Sequence, residues 1–209
     1  MKVIDKNTWD RKDLFMHYDS CNNPFIYLTI PIDITNLYHF SKENNYPFYP
    51  TMGYVINKAV NQVDAFKYRK VDDEIIFYEN INSNYTEMIN EEKIGYFKVN
   101  YNSNFKAYID EYNNQLKALK NGLLTSVDTL NHDEIWFSCA PWFNFTSLIT
   151  PFNKETTIPQ FIWDKFNKEN DQVSINLMIM VHHGFADGYQ INRFIKILET
   201  EINNCKGEE

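Results

Sequence analysis

A mixed α/β fold in one domain is what the sequence predicts, on three observations. Runs rich in Val, Ile, Thr and aromatics are interspersed irregularly with stretches of helical apolar spacing, so strands and helices share the chain without a simple βαβ repeat. The 209 residues suffice for one sizeable core, and no linker divides them, so 1–209 reads as a single domain. Hydrophobic residues make up 44% and charged residues 23%, the balance of a soluble globular protein.

The elements follow in order. Asp10 to Tyr18 reads as a short amphipathic helix, with Asn7-Thr8 as a cap-like start and Leu14, Phe15 and Tyr18 on one face. Asn22-Asn23-Pro24 is a turn, and Phe25 to Ile34 is a strand by its Ile, Tyr and Thr content. Leu37 to Lys42 is helical and is broken at Asn44-Asn45-Tyr46-Pro47. Pro50 suits the start of the next helix, whose apolar stripe is Tyr54, Val55, Ala59 and Val60. Val71 to Glu74 turns between two strands, the second being Ile75 to Tyr78. Tyr85 to Ile89 and Ile94 to Val99 are further strands. Phe105 to Lys120 is the clearest surface helix, with Tyr108, Ile109, Tyr112, Leu116 and Leu119 on one side and Asn121-Gly122 as its stop. Ile135 to Phe137 is a short strand entering Ser138. Ile158 to Phe166 and Val173 to Val181 are strands around a polar turn at Lys168 to Asp171, and Ile191 to Ile202 is the last helix.

Composition excludes several classes. A net charge of -8 argues against nucleic-acid phosphates and anionic lipid as partners. Cys21, Cys139 and Cys205 are far apart and odd in number, with no CxxC spacing, which fits a reducing compartment. No signal-like stretch opens the chain and no run is long enough to span a membrane, so a cytoplasmic protein is expected. No HExxH, P-loop or GxGxxG occurs, and no metal site is expected.

The chemistry concentrates where the strand at Ile175 to Val181 ends in His182-His183-Gly184-Phe185-Ala186-Asp187-Gly188. A histidine at a strand end beside a turn is held rigidly with one nitrogen free, as a general base requires. Asp187 is either the partner orienting His183 or the N-cap of the last helix. Ser138, in Trp136-Phe137-Ser138-Cys139-Ala140-Pro141-Trp142, can donate to a developing oxyanion; no G-x-S-x-G elbow marks it as a nucleophile. Cys139 has apolar neighbours and reads as inert core. Arg11 is a helix-face charge unless it meets a carboxylate.

The segment His182 to Gly188 resembles the HHxxxDG signature of chloramphenicol acetyltransferases, shared with dihydrolipoyl acyltransferases and peptide-synthetase condensation domains. Trp9-Asp10-Arg11-Lys12, Phe48-Tyr49-Pro50 and Ser138-Cys139-Ala140-Pro141-Trp142 resemble the first family's WxRK, FYP and SAxPW elements, in order and along the whole chain. The resemblance implies a two-layer α/β sandwich with a mixed sheet, forming trimers with active sites between subunits. It implies O-acetyl transfer from acetyl-CoA, as co-substrate, to a hydroxyl of chloramphenicol, with no permanently bound cofactor. His183 would be the general base, its other nitrogen bonded to a backbone carbonyl. Ser138 would hydrogen-bond the oxyanion. Asp187 would pair with Arg11 to hold the turn. Tyr18, Phe25, Ile26, Ile162 and Met180 would lie on the acceptor side, and Tyr49, Trp142, Lys165 and Phe166 along the coenzyme A channel. Ile162 and Met180 stand where the family commonly has threonine and glutamine, and Glu91 to Tyr101 lacks its ETFS-like pattern, so another small hydroxylated acceptor is the alternative. A non-catalytic, ligand-sequestering homologue is a third reading.

Overall fold

A computed structural model describes residues 1–124, 131–151 and 153–205. The strands are β1 (Lys2–Val3), β2 (Phe25–Asp33), β3 (Tyr68–Val71), β4 (Glu74–Phe77), β5 (Asn82–Met88), β6 (Ile94–Val99), β7 (Glu134–Ala140), β8 (Gln160–Asp164), β9 (Asn167–Glu169) and β10 (Gln172–His182). The α-helices are α1 (Lys12–Asp19), α2 (Thr35–Glu43), α3 (Phe48–Asn61), α4 (Phe105–Lys120) and α5 (Gly188–Asn204).

The main sheet runs β2-β10-β8-β7-β5-β6, with β9 hairpinned onto β10, and a small sheet runs β1-β4-β3. Within the main sheet β5, β7 and β8 are parallel, while β2, β6 and β10 run antiparallel to their neighbours. The period of two along β10 sorts its side chains. Leu177, Ile179 and Val181 join the core beneath α2, α3, α4 and α5, whereas Met178 and Met180 lie on the opposite face. Helices thus cover one face of the sheet. The other carries Phe25, Ile162, Met178 and Met180, closed over by Phe145 and Leu148 of the β7–β8 connection. A third cluster, Phe15, Ile75 and Phe185, joins α1 to the small sheet and to the turn after β10.

The helix α3 departs from a simple stripe: every residue from Pro50 to Val60 except Lys58 is buried, so it is the central helix of the layer. Gly53 is needed there, because an added Cβ would collide with the Tyr85 ring. Pro50 sits at the third position, inside the first turn where its missing N–H leaves no bond unmade.

Other differences have local causes. The α1 helix starts at Lys12 without a side-chain cap, because Thr8 bonds back to Asp5 and the flanking Arg11 is committed elsewhere. Of the expected face only Phe15 is buried, and Leu14 faces solvent. The polar turn at Lys168 to Asp171 is tighter than read: β9 begins it, and Asn170 and Asp171 take φ of 47° and 66°, left-handed values that Asn and Asp tolerate. Pairing with β8 carries β7 on to Ala140, so Ser138 lies inside a strand.

Candidate active site

Strand β10 ends at His182, opposite Phe25. The next amide, of His183, donates to Pro24 O at 2.8 Å, and the amides of Phe185 and Ala186 both return to His182 O, at 3.0 and 3.1 Å. The turn is closed from inside by the His182 ring, whose Nδ1 accepts from Gly184 N at 3.1 Å. A side chain at Gly184 would strike the Phe15 backbone 2.8 Å away.

His182 is packed between Phe15 and Phe185, with ring centroids 5.4 and 5.1 Å away. Burial drives its pKa down to about 4, against a smaller upward pull from Asp19. The ring is therefore neutral near pH 7. With Nδ1 accepting, the proton sits on Nε2, which faces Asp19 Oδ1 at 3.6 Å. That contact is a dipole against a carboxylate and not an ion pair. Asp19 is itself paired with Lys70 at 3.1 Å.

His183 is half-buried, and its imidazole lies flat on the Tyr18 ring, with centroids 3.7 Å apart and planes at 8°. The expected carbonyl bond is not observed: Nδ1 is buried and has no hydrogen-bond partner among the described residues. The aromatic face of Tyr18 orients the ring instead.

Asp187 both caps the last helix and pairs with Arg11, one role per oxygen. Oδ1 caps α5 by accepting from Tyr189 N at 3.0 Å, in a capping box completed by Gln190. Oδ2 receives both terminal nitrogens of Arg11, at 3.3 and 3.4 Å. Arg11 Nε reaches Gly184 O at 3.1 Å, so one guanidinium spans the turn. The alternative of Asp187 orienting His183 is thereby not the one observed.

On the sheet face away from the helices, Phe25, Ile162 and Met180, the residues that the resemblance puts on the acceptor side, meet in one apolar cluster. Ile26 does not join them: next to Phe25 on the strand, it points the other way and packs against the helix-covered core. Tyr27, which the sequence reading passed over, packs on the cluster with its hydroxyl buried and unpartnered among the described residues.

Ser138 is not beside His183 within the chain. It pairs with Ile162, which pairs with Met178, five residues before His183 and two strands away. That is about 16 Å along the strands and about 10 Å across them. Around the Ser138 end lie the other residues assigned to the coenzyme side. Trp142 is 67% exposed. Lys165 is held by Phe143 O and Asn144, and Phe166 meets Phe48 edge-on at 4.7 Å. The Tyr49 ring packs on Trp163 at 5.1 Å, but its hydroxyl turns inward to backbone carbonyls. Asp164, unmarked by any motif, ties this end together: its carboxylate accepts from Asn176 N and Nδ2, Phe145 N and Asn144 Nδ2.

A sequence model of the family described as chloramphenicol acetyltransferase matches residues 1–199. The chain belongs to the chloramphenicol acetyltransferase family. Among its relatives, chloramphenicol acetyltransferase 2 of Escherichia coli is 31% identical, covering 96% of each chain. The chloramphenicol acetyltransferase of Clostridium perfringens is 30% identical, covering 96% of this chain and 98% of its own. A solved chloramphenicol acetyltransferase superposes with a TM-score of 0.83 at 21% identity, over 96% of this chain and 99% of that one, so the sandwich is the family's fold. A probable dihydrolipoamide acetyltransferase from Listeria monocytogenes shares the fold at a TM-score of 0.72 and 15% identity, over 100% of this chain and 97% of that one. As a chloramphenicol acetyltransferase family member the chain is an acyltransferase. No helix among its described residues is long and apolar enough to cross a membrane.

Proposed function

We propose that the chain is an acetyl-CoA-dependent O-acetyltransferase of chloramphenicol, conferring resistance to that antibiotic, with His183 as general base and each active site shared between two copies of a homotrimer. One observation carries the shared site: β10 runs antiparallel to β8, so within one chain Ser138 lies two strands from His183 and about 16 Å further along them. A base and an oxyanion donor must both lie within about 3 Å of the reacting atoms. Two chains meet that requirement by bringing the His183 end of one to the Ser138 end of the next.

His183 takes the proton of the acceptor hydroxyl as that oxygen attacks the thioester carbon of acetyl-CoA. The tetrahedral oxyanion accepts a hydrogen bond from the Ser138 hydroxyl. Collapse breaks the carbon–sulfur bond, and the imidazolium returns its proton to the leaving thiolate. The acetyl group passes directly, without an acyl-enzyme. Phe25, Ile162 and Met180 offer the acceptor an apolar wall, and Trp142, Lys165 and Phe166 flank the coenzyme. The names of the full-length relatives support chloramphenicol as the acceptor.

The test is thiol release from acetyl-CoA with chloramphenicol, followed for wild type and His183→Ala. Release that collapses by about a thousandfold in the variant is expected, within the range of general-base loss. Folded wild-type protein that releases no thiol sinks the proposal. A second reading rests on the apolar cluster: Ile162 and Met180 give the acceptor no polar side chain, which favours a hydroxylated acceptor less polar than chloramphenicol. An acceptor panel at fixed acetyl-CoA separates the two.

A further inference from the structure

We propose that Tyr49 is the positioning residue of Ser138, its hydroxyl clasping the carbonyls of Thr86 and Phe137 where β5 and β7 part; the inference rests on the acyl-transfer reading. The parallel pairing of β5 with β7 runs from Asn82 and Glu134 to Tyr85 and Phe137, and ends there. Thr86 O and Phe137 O lie at that parting. The Tyr49 hydroxyl stands 3.1 Å from each of them. It has one proton, so it serves the two oxygens alternately or shares it between them, bridging strands that no longer bond each other.

The consequence reaches Ser138 through covalent geometry. The Phe137 carbonyl and the Ser138 amide belong to one planar peptide unit. Holding that oxygen holds the plane from which Ser138 departs. Phe137 itself points into the core, packed by Tyr85 and Trp163 at 5.1 and 5.9 Å, while Ser138 points to the opposite face. The clasp therefore fixes Ser138 from behind, without touching substrate. Its own placement is rigid, with Tyr85 and Trp163 centroids 5.2 and 5.1 Å from the Tyr49 ring. Burial pushes the phenol far above its ordinary range, so it remains a donor at every working pH. An oxyanion donor needs placement within a fraction of an ångström, and a strand edge with two free carbonyls does not supply that alone.

Tyr49→Phe deletes the hydroxyl and keeps the ring. Thiol release is measured for Tyr49→Phe, Ser138→Ala and the double variant, with amide hydrogen exchange followed across residues 134–140. In Tyr49→Phe, kcat falls about tenfold to a hundredfold with KM for acetyl-CoA unchanged. The same substitution adds nothing in the Ser138→Ala background, and exchange across residues 134–140 quickens. A normal kcat, an equal fall in the Ser138→Ala background, or a raised KM at constant kcat overturns the clasp. A wild-type chain inactive with every acceptor overturns the acyl-transfer reading instead. The exchange rates then decide the clasp by themselves, and unchanged rates reject it.

Discussion

The Tyr18 ring lies parallel to the His183 imidazole, 3.7 Å away, and takes over the orienting role that a hydrogen bond to Nδ1 would have. A face-to-face contact restrains tilt while leaving both nitrogens chemically free. Losing an aromatic pair costs about 0.5–1.5 kcal/mol. Tyr18→Ala is therefore expected to lower kcat about tenfold and the melting temperature by only about 1–6 °C, and Tyr18→Phe to stay near wild type. Steady-state thiol release measures both, and a Tyr18→Ala enzyme of full activity contradicts the role.

Asp187 does two jobs, and two substitutions separate them. Asparagine can still cap α5 but cannot pair with Arg11; alanine does neither. Asp187→Ala is expected to cost about 1–2 kcal/mol in urea unfolding, from the lost cap. Asp187→Asn loses only the part-exposed pair and costs less. Equal losses would mean that the ion pair, and not the cap, carries the stability.

Two buried groups give stability opposite pH slopes. The folded pKa of His182 is depressed to about 4, so the unfolded chain binds its proton first. Its contribution is complete above about pH 6.5 and is lost as pH falls toward 4. Glu134 lies buried beside Trp136 and Asn84, and burial raises its pKa to about 7. Its contribution is complete below about pH 4.3 and drains away as pH rises through 7. Glu134→Gln should remove the fall in stability between about pH 4.3 and 7, and His182→Gln the rise between about pH 4 and 6.5, two opposed slopes over nearly the same range. Either variant keeping the wild-type slope over its range refutes that assignment.

Removing Asp164 strands the donors it serves. Asp164→Ala leaves the part-buried amides of Asn176 and Phe145 without their acceptor, each costing less than the about 1–3 kcal/mol of a fully buried group. The connection carrying Trp142 should loosen, raising KM for acetyl-CoA more than it lowers kcat. Trp142 fluorescence anisotropy and steady-state kinetics report the two effects.

How much of this was legible depends on the range of the interaction. The α4 boundaries and the central part of α5 follow from apolar spacing along a few turns, and β2 and β10 from local residue type. Two-residue β1 carries no pattern and exists because β4 gives it a partner. That Arg11 meets Asp187 was available only through the family resemblance, since 176 positions separate them. Asp164 and Tyr49 gave no sign of what they hold, because both partners of Tyr49 and two of the four of Asp164 are backbone groups, which any residue type supplies. The motif singled out His183; the strand pairing alone revealed that Ser138 lies two strands away from it.

On the proposed shared site, the reversal between β10 and β8 has a genetic corollary. A gene copy disabled at His183 and another disabled at Ser138 would each encode a dead protein, yet cells carrying both would make mixed assemblies in which about a quarter of the junctions join two intact halves. Resistance would reappear from two losses, whereas two alleles broken at the same end would never rescue each other.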